Sequence, residues 1–388
     1  MISPFICYSV SFAAALLIYL LGWSELYPKL SVTVVVFLLM TIIASIISHL
    51  KFKQVSFRKL EEEKFPVVYT TVFIFILWIA EFFYEGGVPL IKILFRLPYN
   101  YRLFGIPTLH VFIVTFSSFF TVYLFHLYLS KRTKLLLILY VLNLSAAMLI
   151  YNRGMLFFNL TGSAVIYFMS PGKFSWLRTG IIIGLIVVGL FLFGVLGSLR
   201  SSREANEPYN NENFMDVGKA TESFRQSVVP KEYFWTFIYV SSPLANFQYN
   251  INEHPEPVVN AASIFWTCVN EFLPDFITKR IHAARDTRPA KEWRIGYSFT
   301  VHTVYSRAYS YSGWAGMILM TVFVLAFPWL FSLVIGRQSD FFITGWAILC
   351  TMYFFMPFDN TFRFTGLSLQ LAYPILFAVV EKYFPRKA

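Results

Sequence analysis

Arginine is the residue type through which this chain is best equipped to do chemistry. A guanidinium keeps its proton at any ordinary pH, and its planar fork binds phosphate through two parallel hydrogen bonds. Arg153 interrupts two apolar runs in "AAMLIYNRGMLFFNL". Further arginines collect between residues 200 and 310, among them Arg200, Arg203, Arg280, Arg285, Arg288, Arg294 and Arg307. This pattern predicts a binding site for a phosphate or a diphosphate.

A histidine near these arginines supplies a group that can move a proton. His302 precedes Arg307 in "FTVHTVYSRAYSYSGWAGM", and the ordinary pKa of histidine permits proton uptake near neutral pH. A base beside cationic groups suits transfer of a group from a phosphate leaving group to an acceptor hydroxyl. Glu292, Asp275 and Asp286 are the alternative bases, and a histidine that is merely hydrogen-bonded at the membrane interface is the structural alternative.

Other common chemistries lack their sequence motifs. The chain has no DxD, HExxH, GxSxG, P-loop or dinucleotide-binding pattern in a usable context. His254, His282 and His302 are too widely spaced to indicate a metal site, and the three cysteines do not indicate a disulfide framework. We therefore expect chemistry that needs neither a metal nor a cofactor.

The elements that must position these residues are membrane helices. The chain has 388 residues, of which 57% are hydrophobic and only 14% are charged. Recurring apolar runs predict an all-α polytopic protein with a single integral membrane domain over residues 1–388. The first run lacks a basic start and a cleavage site, so it is expected to be a span rather than a signal. The ten predicted spans are 4–21, 30–50, 66–84, 108–129, 135–151, 155–170, 179–199, 311–335, 341–358 and 365–384.

The distribution of positive charge predicts the orientation. Short loops on one face carry fourteen Lys and Arg residues, and the short loops on the other face carry six. By the positive-inside rule the first face is cytoplasmic, and both termini lie on it. Residues 200–310 then form one large periplasmic loop. Because the net charge of +11 is spread among loops, it favours membrane lipids rather than nucleic acid as the partner.

Two stretches of the large loop, 233–247 and 258–277, are apolar and aromatic. The first interpretation is a pair of amphipathic helices that lie in the membrane interface. The alternative is two additional crossings, which would give twelve spans and leave every other orientation unchanged.

The two predicted helices beside Arg153 are short. With 17 and 16 residues, each reaches about 24–26 Å at ~1.5 Å per residue, less than the ~30 Å hydrocarbon layer. Arg153 is therefore expected to lie recessed below the outer surface, where an unpaired charge is costly. It either lines a wet cavity that binds an anion or pairs with a carboxylate such as Glu81 or Asp359.

Four stretches resemble the Wzy-type O-antigen polymerases, the oligosaccharide repeat unit polymerases of bacterial surface polysaccharide assembly. They are "YNRGM", "LRSSRE", "YVSSPLANFQ" and "FTVHTVYSRAYSYSGWAGM". The resemblance extends to the layout of nearly the whole chain. The family's paired loops carry an arginine and a glycine that are separated by ten intervening residues. Arg285 and Gly296 have that spacing, whereas Gly162 follows Arg153 after eight intervening residues.

The resemblance implies a glycosyltransferase of the bacterial inner membrane. A glycan on undecaprenyl diphosphate would be transferred to a new repeat unit on the same lipid, and these lipid-linked oligosaccharides would be the substrates. A chain-length regulator is a further partner that the resemblance allows. It implies His302 as the base, with the diphosphate bound by Arg153, Arg200, Arg203, Arg288, Arg294 and Arg307.

Two other functions remain open from the sequence. An O-antigen ligase uses the same donor but transfers the glycan to a lipid A core. A flippase for the lipid-linked oligosaccharide belongs to another class. The matching halves and midplane charges typical of transporters are not evident in this sequence.

Overall fold

The computed structural model describes residues 2–95, 97–99, 104–171, 176–204, 208–254 and 257–383. In the helix at 176–204, the side chains at 177–179, 181–183, 185, 200, 201, 203 and 204 lie outside this description. Within the described ranges the chain is helical and contains no strand, apart from an isolated bridge between Ser24 and Ala220. The predicted all-α fold is therefore confirmed.

The first half of the chain forms seven long helices and one short one. Ser31 and Asn152 explain where two of them begin, because their side chains accept hydrogen bonds from the backbone N–H groups of Val34 and Met155. The helices are α1 (Pro4–Tyr19), α2 (Val32–Lys51), α3 (Val67–Tyr84), α4 (Pro89–Leu94), α5 (Leu109–Lys131), α6 (Lys134–Leu149), α7 (Arg153–Met169) and α8 (Trp176–Glu204).

The second half carries the large loop and the last helices. The loop contains α9 (Glu212–Val217), α10 (Glu222–Arg225), α11 (Tyr233–Glu253), α12 (Ala261–Phe272) and α13 (Asp275–Arg285). The closing elements are α14 (Ser306–Ile335), α15 (Phe342–Phe355), α16 (Thr365–Ser368), a 3-10 turn (Leu369–Leu371) and α17 (Ala372–Tyr383).

Nine of the ten predicted segments overlap one long helix each, whereas 365–384, predicted as a single helix, consists of α16, the 3-10 turn and α17. In the part of the chain that the structure describes, four helices are long and apolar enough to cross a membrane, namely α2, α3, α5 and α14. Their exposed side chains are largely apolar, as on α2 and α3, where Val32, Leu50, Tyr69 and Phe83 are among the most exposed. An apolar outer surface on a packed helical bundle is what contact with lipid requires.

The bundle core forms around α1, α5 and α15. α1 packs against α15, α2 and α11, and α5 packs against α6, α7 and α15. Large aromatic side chains fill the space between them, and Trp346, Tyr8 and Phe119 are fully buried. Because α15 also packs against α7 and α14, these two helices are joined through this core.

α11 is packed inside the protein, against α1, α8 and α14. Phe237, Leu244 and Phe247 are buried, and so are the polar Asn246 and Asn250. The two amides donate hydrogen bonds to backbone carbonyls of the loop before α14 and of α14 itself. α11, which contains the predicted stretch 233–247, is therefore held by contacts with other helices along much of its length.

α14 is not one straight helix. Ser312 and Gly313 leave the helical conformation, and Gly313 has φ 56° and ψ −142°. A Cβ atom added to Gly316 would lie 2.2 Å from the carbonyl oxygen of Ala308, although residues eight apart in a straight helix are separated by about 12 Å. The segment Ser306–Tyr311 therefore folds back along the helix that continues from Trp314.

Candidate functional site

Charged side chains from four parts of the chain meet beside this fold-back. α12, the segment between α13 and α14, the start of α14, and the loop between α15 and α16 each contribute. Their hydrogen bonds and mutual electrostatic effects link them into one group. We call this group the outer cluster: Glu271, Glu292, Arg294, His302, Arg307, Asp359 and Arg363.

An ion pair lies at the centre of the outer cluster. Arg307 Nη2 lies 2.6 Å from Glu292 Oε2, and the two side chains are only 16% and 10% exposed. Burial alone would raise the pKa of Glu292, but the neighbouring Arg307 and His302 hold that pKa below its ordinary value. Glu292 therefore stays ionised and neutralises Arg307, so that Arg307 is not a free phosphate-binding cation.

Glu271 is the most deeply buried carboxyl group of the cluster. Its Oε2 accepts a hydrogen bond of 2.8 Å from Asn360 Nδ2, which also donates to the Glu271 carbonyl oxygen at 2.9 Å. Its Oε1 is buried and has no hydrogen-bond partner among the described residues. Burial, opposed by Arg307, Asn360 and Arg363, raises the pKa of Glu271 to about 7. Both protonation states are therefore populated at neutral pH.

His302 is held in one tautomer. Arg294 Nε lies 3.3 Å from His302 Nε2, and because an arginine can only donate, Nε2 must carry the lone pair. The ring proton is then on Nδ1, which is buried and without a partner in the described ranges. Burial, opposed by Glu292 and reinforced by Arg294 and Arg307, lowers the pKa of His302 to about 4. The imidazole is therefore neutral at pH 7.

The structure brings together five of the residues that the sequence singled out: the predicted base His302, the predicted diphosphate ligands Arg294 and Arg307, the alternative base Glu292, and Asp359. Arg288 lies in the same loop but is exposed, and within the described residues no hydrogen bond or ion pair joins it to the outer cluster. Arg200 and Arg203 belong to α8, and their side chains are outside the described part of the chain.

Arg153 is the first residue of α7, which packs with α6 as the predicted short hairpin of 17 and 16 residues. Its side chain is exposed, and its guanidinium lies 5.6 Å from the ring centroid of Tyr151. Neither proposed carboxylate partner pairs with it in the described structure. Glu81 instead bonds His110 at 2.9 Å. The depth of Arg153 in a membrane stays a prediction.

Ring contacts place the start of α7 near the outer cluster. Phe158, five residues after Arg153, lies 4.9 Å from Phe355 and 6.2 Å from Phe364, measured between ring centroids. Phe355 and Phe364 flank the loop that carries Asp359 and Arg363. Arg153 and the outer cluster therefore lie at the same end of the bundle, although no described contact joins them.

The alternative bases differ in their surroundings. Asp275 is engaged by Lys279 at 2.5 Å and by the hydroxyl of Thr365. Asp286 is exposed and ends α13 with φ 47°. Arg285, which carries the family-like spacing, lies over the ring of Trp266 at 5.9 Å from its centroid.

Sequence reasoning missed both Glu271 and Arg363 as functional candidates. One sequence feature could have identified Glu271, because it is the only charged residue in "AASIFWTCVNEF". A carboxyl group on an otherwise apolar helix usually needs a specific partner. The partner Asn360 is 89 residues away in the sequence, so spacing alone does not reveal the pair.

A second polar site lies at the opposite end of the bundle. A cavity of about 230 Å³ there is lined by residues that include Lys53, Arg58, His126, Arg337 and Asp340. Its two arginines are engaged by the protein itself, since Arg58 pairs with Asp340 at 2.9 Å and Arg337 donates to the Lys53 carbonyl oxygen. The contacts around this cavity connect the segment 51–66 with the loop before α15.

Across the described ranges, no group of three or more His, Cys, Asp and Glu side chains is arranged to hold a metal ion. The outer cluster instead offers donors and acceptors for a polar organic ligand. Comparison of the chain with models of protein families, with curated proteins and with solved structures gave no match.

Proposed function

We propose that this chain is a glycosyltransferase of the bacterial inner membrane that polymerises a surface polysaccharide. A glycan carried on undecaprenyl diphosphate is transferred to a hydroxyl of a second repeat unit on the same lipid. The observation that carries the proposal is the outer cluster, in which arginine, histidine and carboxyl side chains meet at one end of an apolar helical bundle.

The composition of the outer cluster suits this reaction. Departure of a diphosphate develops negative charge, which Arg294, Arg363 and the exposed Arg153 at the same end of the bundle can stabilise without a metal. The acceptor hydroxyl must lose a proton, for which His302 and Glu271 are the two buried candidates. Because Arg307 is already neutralised by Glu292, its contribution to diphosphate binding is smaller than that of an unpaired arginine.

The membrane arrangement in this proposal has ten spans, both termini in the cytoplasm and residues 200–310 in the periplasm. The charge asymmetry of the loops supports this orientation. It places the outer cluster and the start of α7 on the periplasmic side, where a lipid-linked repeat unit is available after translocation. Reaction partners are then two lipid-linked oligosaccharides held at one site.

Deletion of the gene in the producing bacterium tests the proposal. Loss of a polymerase leaves single repeat units attached to the lipid A core. Bare core with polymer retained on its carrier lipid would instead identify a ligase. Repeat units that accumulate on the cytoplasmic side of the membrane would identify a flippase, and either of the last two results would overturn the proposal.

A further inference from the structure

We propose that Glu271 is the general base of the transfer reaction, and that His302 acts as a hydrogen-bond donor to the substrate. This assignment rests on the proposed function and deepens it, because it names the atom that receives the acceptor's proton. It replaces the prediction that the histidine does so.

Glu271 has a free acceptor atom where a substrate hydroxyl could bind. Asn360 holds one carboxyl oxygen and the backbone carbonyl of the same residue, so the orientation of the carboxyl group is fixed. The other oxygen, Oε1, is buried and unpartnered among the described residues. A buried acceptor without a donor is costly, and a ligand hydroxyl would satisfy it.

His302 cannot easily take up a proton. Its Nδ1 already carries one, and the lone pair of Nε2 accepts from Arg294. Protonation at Nε2 would break that hydrogen bond and place an imidazolium against a guanidinium, which is a repulsive pair of like charges. The free Nδ1–H is a donor with no partner in the described part of the chain, and it can donate to a sugar oxygen.

The other carboxyl groups of the cluster are less suitable. Glu292 is committed to Arg307 at 2.6 Å, and its pKa is depressed. Asp359 is exposed, and its Oδ1 accepts from the Asn360 backbone N–H at 2.7 Å. The groups that act electrostatically on Glu271 or lie beside it are Arg307, Arg363, Glu292, Asp359 and Tyr311.

The acceptor hydroxyl gives its proton to Glu271 Oε1, and a lone pair of its oxygen forms a bond to the anomeric carbon of the donor. The bond from that carbon to the diphosphate oxygen breaks, and its electron pair leaves with undecaprenyl diphosphate. The neutral carboxyl group of Glu271 then returns the proton to water or to the departing diphosphate.

The test uses the purified full-length chain in detergent with the lipid-linked repeat unit extracted from a strain that lacks this gene. The rate of chain extension is measured from pH 5 to pH 9. For the wild type we expect the rate to rise with pH through about 7, where Glu271 ionises, and then to level off. A rate independent of pH across this range would overturn the assignment, and this readout needs no variant.

Variants separate the two residues. Glu271→Gln keeps the shape but removes the base, and it should lose about 10²–10⁴-fold in rate. His302→Asn keeps a donor near the Nδ1 position but removes the imidazole, and it should stay within about tenfold of wild type. Glu253→Gln, at the exposed end of α11, is the matched control and should leave the rate unchanged.

The two proposals fail in different ways. An active wild type with an active Glu271→Gln variant, or a loss of more than about 10²-fold in His302→Asn, would overturn the base assignment alone. A wild type that does not extend the repeat unit would overturn both.

Discussion

Glu271→Gln should make the folded protein more stable at alkaline pH, even as it removes activity. The carboxyl group is fully buried, and its pKa in the fold is about 7 against an ordinary value near 4.5. The folded state thus favours the protonated form. Glutamine resembles that form, and its amide oxygen can keep the hydrogen bond from Asn360.

The direction and the size of this stability difference follow from the linkage between proton binding and folding. Between about pH 4.5 and pH 7 the folded state binds the proton more tightly than the unfolded state, so wild-type stability falls as pH rises through this window. Each pKa unit corresponds to ~1.36 kcal/mol, so the loss amounts to about 3 kcal/mol above pH 7. Glutamine cannot ionise and avoids this loss. The gain is an upper limit, because the new amide N–H group faces Arg307 and Arg363.

The assay is thermal unfolding of purified wild type, Glu271→Gln and the Glu253→Gln control in one detergent from pH 5 to pH 8.5. We expect the melting temperature of Glu271→Gln to approach that of wild type near pH 5 and to exceed it increasingly up to about pH 7.5. The control should follow wild type throughout. Melting temperatures of wild type and Glu271→Gln that change in parallel with pH would refute the raised pKa of Glu271.

Three further predictions concern other parts of the site. Arg153→Ala should abolish chain growth without loss of protein from the membrane, and Arg153→Lys should restore little because an ammonium lacks the bidentate fork; normal growth of the lysine variant would contradict this role. A double-mutant cycle of Glu292→Gln with Arg307→Met, measured by thermal unfolding, should give a coupling free energy of about 2–3 kcal/mol. The reason is that removal of either partner leaves the other charge buried without its ion pair. Gly313→Ala should lower the free energy of unfolding by about 1–3 kcal/mol, because φ 56° with ψ −142° is a conformation that favours glycine. Gly184→Ala is the control and should not destabilise the fold in the same thermal unfolding assay, because the space around Gly184 is open.

Hydropathy was sufficient to place most of the long helices, although the predicted segment 365–384 is divided into α16, a 3-10 turn and α17. The predicted segment 66–84 is observed as Val67–Tyr84, and 341–358 as Phe342–Phe355. Runs of this kind are local, and the need to satisfy every backbone group within the helix makes them regular. The predicted start of the eighth span at 311 falls close to Gly313, where α14 straightens after its fold-back.

The fold-back itself could not be predicted in this way. "RAYSYSGWAGM" mixes aromatic, small and polar residues without a Pro or another strong helix breaker, and the backbone angles of Ser312 and Gly313 reveal the break. The packing of Gly316 against Ala308 depends on this break.

The site was only partly predictable, for a physical reason. Residue types and local density pointed to His302, Arg294 and Arg307, which are close in the sequence. The role of each one depends on long-range partners. The pair between Glu271 and Asn360 spans 89 residues, and the hydrogen bond from Arg294 to His302 fixes a tautomer that no sequence pattern encodes.

The most direct test of the whole account is whether the purified chain lengthens a lipid-linked oligosaccharide. Purified protein, extracted undecaprenyl-diphosphate-linked repeat units and a metal chelator are incubated in detergent, and the products are separated by size. The account predicts a ladder of longer glycans together with one released undecaprenyl diphosphate per added repeat. Unchanged repeat units, or a ladder that forms only when the chelator is omitted, would contradict it.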